Sequence, residues 1–123
     1  MSSDRSVMIV NDNTDLLSLF KNALEHEGIP TYAFVNPTLA LEKIRANPNH
    51  FSLVLINYAS QIKKSQRRFA KDAKTINAQI KVILTSGYDL TEVDISKEKY
   101  DGFLRLPIEL SVLVSRVKEL LVS

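Results

Sequence analysis

Cysteine is absent from the 123 residues of the sequence, and histidine and glycine are scarce. Without cysteine the chain cannot form disulfide frameworks, thiolate zinc sites or a cysteine nucleophile. Two histidines, His26 and His50, are too few to build a histidine-based metal centre readily. Three glycines leave no glycine-rich loop to cradle a phosphate group, and no serine–histidine–acid grouping is visible. These absences argue against an α/β enzyme, and we expect no catalytic residue.

Long apolar runs are also missing. No stretch approaches the roughly 20 residues that a membrane-spanning helix needs. The opening residues lead into only four apolar positions, Val7 to Val10, which is too short for a signal peptide. We therefore expect a cytoplasmic protein without membrane contact, and the lack of cysteine fits a reducing compartment.

The remaining composition is that of a folded domain, with 45% hydrophobic and 24% charged residues. The length fits one hydrophobic core, so we expect a single domain over residues 1–123. Short continuous apolar runs predict strands buried on both faces. The runs are Val7–Val10, Leu53–Ile56 and Lys81–Leu84, and weaker strand patterns cover Thr31–Val35 and Gly102–Leu104.

Helical patterns separate these strands. The first is predicted after residues 11–14 and ends at Gly28, and the second opens at Asn36 and Pro37. A third covers about residues 61–76, Leu90–Lys99 is weakly helical, and Pro107 opens a final helix. Strands that alternate with helices in this way predict a three-layer α/β domain, with helices on both faces of a parallel sheet.

Sites in such sheets form beyond the carboxyl ends of the strands. Four segments at those ends resemble the receiver domain of two-component response regulators, the CheY-like family. The segments are Val7–Asn13, Leu53–Asn57, Val82–Ser86 and Phe103–Pro107, and the resemblance extends over nearly the whole chain, from Val7 to Leu121. It implies a flavodoxin-like, doubly wound sheet of five parallel strands in the order 2-1-3-4-5.

The same resemblance indicates that the phosphorylation site is degenerate. In the family, an aspartate at the end of the third strand accepts the phosphoryl group, and Asn57 stands there. Two acids after the first strand hold magnesium, whereas Asn11 leaves Asp12 alone. Leu106 replaces the lysine after the fifth strand, and Arg105, one residue earlier, would face the other side of the sheet.

Two positions keep the family's residue type. Thr85 stands at the switch hydroxyl position and Phe103 at the aromatic position before the missing lysine. Without a phosphate to bind, we favour the interpretation of Thr85 and Ser86 as turn formers, and of Phe103 as a residue that packs in the core or against a partner. Tyr58, directly after Asn57, could fill space at the mouth of the former site.

The chemistry supports a pseudo-receiver hypothesis. An amide oxygen is a far poorer nucleophile than a carboxylate, so Asn57 should not accept phosphate. Magnesium prefers anionic oxygen ligands, so we expect no cofactor and at most weak magnesium binding by Asp12. Asp12 is equally explained as a cap or first-turn acid of the following helix.

Basic residues are concentrated in one segment. Residues 63–74 hold six basic residues and one acid, against ten basic and thirteen acidic residues elsewhere. The six are Lys63, Lys64, Arg67, Arg68, Lys71 and Lys74. From Lys64 onward their spacing of three and four predicts one stripe along a helix. The stripe is either a solvated helix face or a contact for an acidic protein surface or a nucleic acid backbone.

We therefore predict a stand-alone receiver-like domain of two-component (phosphorelay) signalling that binds a partner protein instead of being phosphorylated. In the family, the surface formed here by Leu90 to Val122 makes such contacts. The alternative is a nucleic-acid-binding adaptor that uses the basic helix 63–74, although no reading-head motif accompanies it. The sequence identifies neither the partner nor the oligomeric state.

Overall fold

Five parallel strands form one sheet in the order β2-β1-β3-β4-β5. The computed structural model describes residues 6–57, 68–87 and 99–122. The strands are β1 (Ser6–Val10), β2 (Thr31–Phe34), β3 (Phe51–Asn57), β4 (Lys81–Ser86) and β5 (Gly102–Arg105). The helices are α1 (Thr14–His26), α2 (Pro37–Ala46), α3 (Phe69–Ile76) and α4 (Leu110–Val122). The predicted fold class and strand order are confirmed.

The central strand β3 pairs with β1 on one side and β4 on the other. Its residues Leu53 to Ile56 are all buried, as the continuous apolar run predicts for a strand covered on both faces. Asn57 is the last residue of β3 and pairs in register with Thr85 of β4. The strand order therefore places the carboxyl ends of β1, β3 and β4 side by side.

Two hydrophobic clusters lie on opposite faces of the sheet, because side chains alternate between faces along each strand. On one face, Met8 and Val10 pack with α2 and α3, through buried residues such as Ile44 and Phe69. On the other face, Val7 and Ile9 pack with α1 and α4. The second cluster includes Leu17, Phe20, Leu24, Leu113 and Val117. The helices thus form the outer layers of a three-layer domain.

Asparagine and glycine set the helix ends as the sequence predicts. Asn13 caps α1 and Asn36 caps α2, where Pro37 is the first helical residue. Gly28 follows the end of α1 with a φ of 81°, a left-handed conformation that glycine adopts without steric cost. The amide of Gly28 donates to the Glu25 carbonyl oxygen at 2.9 Å.

The predicted start of the last helix is wrong. Pro107 follows a cis peptide bond and lies outside the helix, which begins at Leu110. The amides of Val112 and Leu113 both donate to the Glu109 carbonyl oxygen at 3.0 Å, so the first turn closes on Glu109. Residues 106–109 are thereby left as a connection between β5 and α4 that reaches over the end of the sheet.

Two helix predictions fall partly outside the described residues. The helix expected over 61–76 is described from Phe69 onward, and the weakly helical segment 90–99 is described only at Lys99. Within the described ranges, no helix has the length and apolar character needed to cross a membrane.

Candidate functional site

The ends of the strands bring together the positions that the sequence singles out. Asn11 directly follows β1, Asn57 ends β3, and Leu106 directly follows β5. All three border one groove, together with Asp12 and Gly87. The predicted site positions thus lie together at the carboxyl edge of the sheet, on the side covered by α1 and α4.

Asn57 and Thr85 face each other across the β3–β4 pair. The buried Thr85 hydroxyl lies 3.4 Å from Asn57 Oδ1 and 3.5 Å from the Ile56 carbonyl oxygen. Both distances are long for a hydrogen bond from a hydroxyl, so the contact is weak. The Asn57 amide is half-buried, and its oxygen lies toward the hydroxyl of its neighbour.

Asn11 shapes the turn that follows β1. Its side chain is buried, and its Oδ1 accepts a hydrogen bond from the Asn13 amide at 2.9 Å. Asn13 in turn accepts from the amides of Asp15 and Leu16 at 3.0 and 3.1 Å and so caps α1. The Asn11 oxygen is therefore already engaged within the turn.

Asp12 lies exposed between these two asparagines. The interpretation of Asp12 as the cap or first-turn acid of α1 is wrong, because Asn13 is the cap and Asp15 is the acid in the first turn. Within the described part of the chain, the Asp12 carboxylate makes no hydrogen bond or ion pair. Its charge is therefore not used by the fold around it.

Leu106 faces the groove because of the alternation along β5. Leu104 and Leu106 both pack with the cluster on the α1 and α4 side, whereas Phe103 packs with the opposite cluster. Arg105 is exposed, and alternation places it on the face of Phe103. A cation at position 105 therefore does not stand in for a lysine at position 106.

The groove itself has a volume of about 610 Å³. Its polar end consists of Asn11, Asp12, Asn13 and Asn57. Its walls come from α1 and from the connection between β5 and α4, namely Leu16, Leu19, Phe20, Leu106, Pro107 and Ile108. Apart from Leu106, these wall residues were not predicted from the sequence as part of a site. Leu19 could have indicated the groove, because it is an apolar residue that lies outside the buried face of α1 and is 47% exposed.

The donor set fits magnesium poorly. Mg²⁺ needs near-octahedral oxygen coordination and is held in proteins chiefly by carboxylates. Among the described residues that border the groove, Asp12 alone carries a carboxylate, and the Asn11 oxygen accepts a hydrogen bond from the Asn13 amide. Across the described ranges, no three histidine, cysteine, aspartate or glutamate side chains come together. The described residues at this edge therefore do not form a suitable binding site for a magnesium ion.

The basic stripe is described only in part. Lys63, Lys64, Arg67 and also Tyr58 lie outside the described residues. Arg68 is exposed just before α3, and Phe69 and Ala73 face the core as predicted. Lys74 donates to the Asp101 carboxylate and to the Ile80 carbonyl oxygen, each at 2.7 Å. Lys74 is thus engaged within the fold, which reduces the charge that the stripe can offer to a partner.

Solved structures that share this fold include response regulator receiver domains. A CheY-like response regulator receiver domain protein from Methanospirillum hungatei superimposes with a TM-score of 0.83 at 25% identity, covering 97% of this chain and 94% of that one. The chain therefore has the fold of a CheY-like receiver domain. A Francisella response regulator receiver domain is 26% identical, with a TM-score of 0.75 and coverage of 95% and 96%.

Two further proteins are similar to this chain in fold or in sequence. A Thermotoga maritima response regulator shares the fold, with a TM-score of 0.84 and 22% identity over 98% of this chain and 100% of that one. Subunit 8 of the conserved oligomeric Golgi complex from Drosophila melanogaster is 31% identical over 108 residues, which is 84% of this chain. The chain spans 19% of the length of that subunit. No protein-family model matches the sequence.

Proposed function

We propose that this receiver domain is a pseudo-receiver, which transmits a signal by binding a partner protein and does not accept a phosphoryl group. One observation carries the proposal: the last residue of β3, at the bottom of the site, is Asn57. A carboxylate attacks phosphorus and forms an acyl phosphate, whereas a carboxamide does neither at a useful rate.

The surroundings of Asn57 support the same conclusion. Among the described residues around the groove, Asp12 alone supplies negative charge for a metal, and Leu106 supplies no cation to pair with a phosphate. Phosphoryl transfer relies on such charges to position and stabilise the transferring group. No magnesium, no cofactor and no catalytic activity are therefore part of the proposed function.

The proposed partner is another signalling protein in the cytoplasm. The part of the expected contact surface that is described consists of β5 and α4, where Val112 is 46% exposed. Arg68 and the neighbouring basic residues would favour a partner with an acidic surface. Binding to nucleic acid has less support, since Lys74 is already paired with Asp101.

The experiment is incubation of the purified domain with acetyl phosphate and Mg²⁺, followed by intact-mass measurement. We expect no increase of about 80 Da, the mass that one phosphoryl group adds. A receiver domain with an aspartate at the acceptor position serves as the positive control under the same conditions. Acid-stable or acid-labile phosphate on the wild-type chain at substantial stoichiometry would contradict the proposal.

The nucleic-acid alternative is tested separately. Binding of labelled DNA and RNA is measured at 50 and 200 mM salt for the wild type and for the Arg67→Glu, Arg68→Glu variant. We expect weak retention at low salt and none at the higher concentration, because non-specific electrostatic binding falls steeply with salt. Tight, salt-resistant binding that the charge reversal abolishes would favour the adaptor instead.

A further inference from the structure

The groove at the carboxyl edge combines an apolar wall with a single charge. Among the described residues that line it, only Asp12 is charged, and its carboxylate has no partner within the described ranges. Leu106 and Ile108 lie on one wall, and Leu16 and Leu19 on the other. This arrangement differs from a phosphate site, which requires positive charge and hydrogen-bond donors around an anion.

We propose that the groove binds a small organic cation, an apolar ring or chain that carries a protonated amine. The apolar body would lie between the leucines of α1 and the connection from β5 to α4, and the ammonium group would pair with Asp12. The proposal is independent of the partner protein and concerns a ligand for the pocket itself.

The dimensions and chemistry of the groove support this choice of ligand. A volume of about 610 Å³ falls within the roughly 300–1,000 Å³ that is typical of small-molecule sites. Such sites are mainly apolar, with a few polar groups that fix the orientation of the ligand. Here Asn57 and Asp12 stand at the polar end, and the Asp12 carboxylate can accept hydrogen bonds from an ammonium group.

Charge complementarity decides between cations, neutral molecules and anions. With Asp12 unpaired, a cationic ligand gains an ion pair at the polar end, and an anionic ligand of the same shape is repelled. Leu106 favours a cationic ligand because it is uncharged, whereas a lysine at this position would place a competing cation beside the ligand. Leucine at position 106, in place of a lysine that could pair with a phosphate, thus also makes the groove more apolar.

The test is an NMR titration with three indoles that share one ring and differ in charge. Tryptamine is cationic, 3-propylindole is neutral and indole-3-propionate is anionic. The titrations are run without Mg²⁺ or acyl phosphate and followed at the backbone amides of Leu16, Leu19, Gly87 and Ile108. We expect affinities in the order cation, neutral molecule, anion, with shifts confined to amides around the groove.

Substitutions then assign the charge dependence to one side chain. Asp12→Asn should weaken tryptamine binding by about two- to fivefold, the range for a solvent-exposed ion pair, and leave 3-propylindole unchanged. Asp15→Asn is the matched control, since it removes an exposed carboxylate that does not line the groove. Leu106→Lys should weaken tryptamine more than 3-propylindole.

Several results would overturn the proposal. These are equal affinity for all three indoles, the absence of shifts around the groove up to the solubility limit, and an equal effect of Asp15→Asn and Asp12→Asn. A peptide that contains adjacent lysine and leucine is titrated in parallel. If it binds more tightly than tryptamine with the same dependence on Asp12, the groove belongs to a partner segment and not to a small molecule. None of these results bears on phosphorylation, which the acetyl phosphate experiment tests.

Discussion

Lys74 on α3 and Asp101 before β5 form an ion pair of 2.7 Å across 27 positions of sequence. The same carboxylate oxygen of Asp101 accepts a hydrogen bond from the Val82 amide at 2.8 Å, and the Asp101 amide donates to the Val82 carbonyl oxygen. Lys74 also holds the Ile80 carbonyl oxygen. The pair therefore joins the end of α3 to the starts of β4 and β5.

Substitutions of Asp101 should separate the hydrogen bonds from the charge. Asp101→Ala leaves the Val82 amide without its side-chain acceptor and should lower the free energy of unfolding by about 1–3 kcal/mol. Asp101→Asn keeps an acceptor oxygen and should cost clearly less. Urea unfolding curves of both variants measure the difference. Equal destabilisation would mean that the charge of Asp101, and not its hydrogen bond to Val82, dominates.

Two valines on α4 provide a matched test of the core. Val117 is buried against the cluster shared with α1, whereas Val112 is 46% exposed. Val117→Ala should lower the free energy of unfolding by about 2–3 kcal/mol through lost burial and a residual cavity. Val112→Ala should change it by less than about 0.5 kcal/mol. Thermal unfolding gives both values, and similar effects of the two substitutions would contradict the packing of α4 described above.

The cap of α1 can be distinguished from its neighbour in the same way. Asn13→Ala removes the acceptor of two amides, those of Asp15 and Leu16, and should destabilise the protein by about 1 kcal/mol. Asp12→Ala removes a side chain that caps nothing and should have little effect. Chemical denaturation checks the comparison. A larger loss for Asp12→Ala would restore the interpretation of Asp12 as the cap.

An ion pair between α1 and α4 sets the protonation of Glu27. The hydrogen bond from Lys118, at 2.7 Å, and the positive charge of Lys118 lower the pKa of Glu27 below its ordinary value of 4.5. Because the pKa is lower in the folded state, the pair stabilises the fold above pH 4.5 and loses this effect as the pH falls through the folded pKa.

Removal of the cation should reverse that shift. In Lys118→Met the pKa of Glu27, followed by NMR of its side-chain carboxyl carbon, should rise toward 4.5. Arg116→Met is the control, because Arg116 pairs with Glu119 and not with Glu27. A pKa of Glu27 that is the same in Lys118→Met and in the wild type would show that the pair does not persist in solution.

Restoration of the lost groups should restore phosphate chemistry. Asn57→Asp combined with Asn11→Asp and Leu106→Lys returns the nucleophile, the second acid and the cation to the ends of three strands. We expect this triple variant to take up phosphate from acetyl phosphate and Mg²⁺, measured by intact mass. Asn57→Asp alone should react at least about tenfold more slowly, since proper charge placement contributes several kcal/mol to such reactions.

Failure of the triple variant would have a definite meaning. The control variant carries Asn57→Asp and Asn11→Asp together with Leu106→Met, so that position 106 stays apolar. If neither variant reacts although both fold, the turn around Asn11, where the side chain holds the Asn13 amide, has departed from a geometry that could hold magnesium.

Much of this architecture follows from local sequence. The run Leu53 to Ile56 is continuous and apolar because β3 is covered on both faces, and Asn36 and Pro37 open α2 because cap and backbone preferences agree. The alternation along β5 sufficed to place Arg105 and Leu106 on opposite faces of the sheet. These inferences need only the spacing of apolar residues within a helix or strand and the residues that stand at its ends.

What escaped prediction depends on residues that are distant in sequence. The sequence predicts Lys74 as part of a surface stripe, whereas in the structure it pairs with Asp101. No local sequence pattern indicates that partner. Proline is common as the first residue of a helix, so Pro107 predicts a helix start. The first turn of α4 instead closes on the Glu109 carbonyl oxygen. Leu19 becomes part of a groove only when the connection after β5 is placed opposite α1.

The position of β3 at the centre of the sheet has a consequence for local opening. Amides of Leu53 to Ile56, paired on both sides, should exchange with solvent deuterium only when the whole domain unfolds. The edge strands β2 and β5 each pair on one side, so their outer portions can open without the rest. Asn57 therefore ends a segment that should exchange slowly, whereas the connection from β5 to α4, which borders the same groove, follows an edge strand.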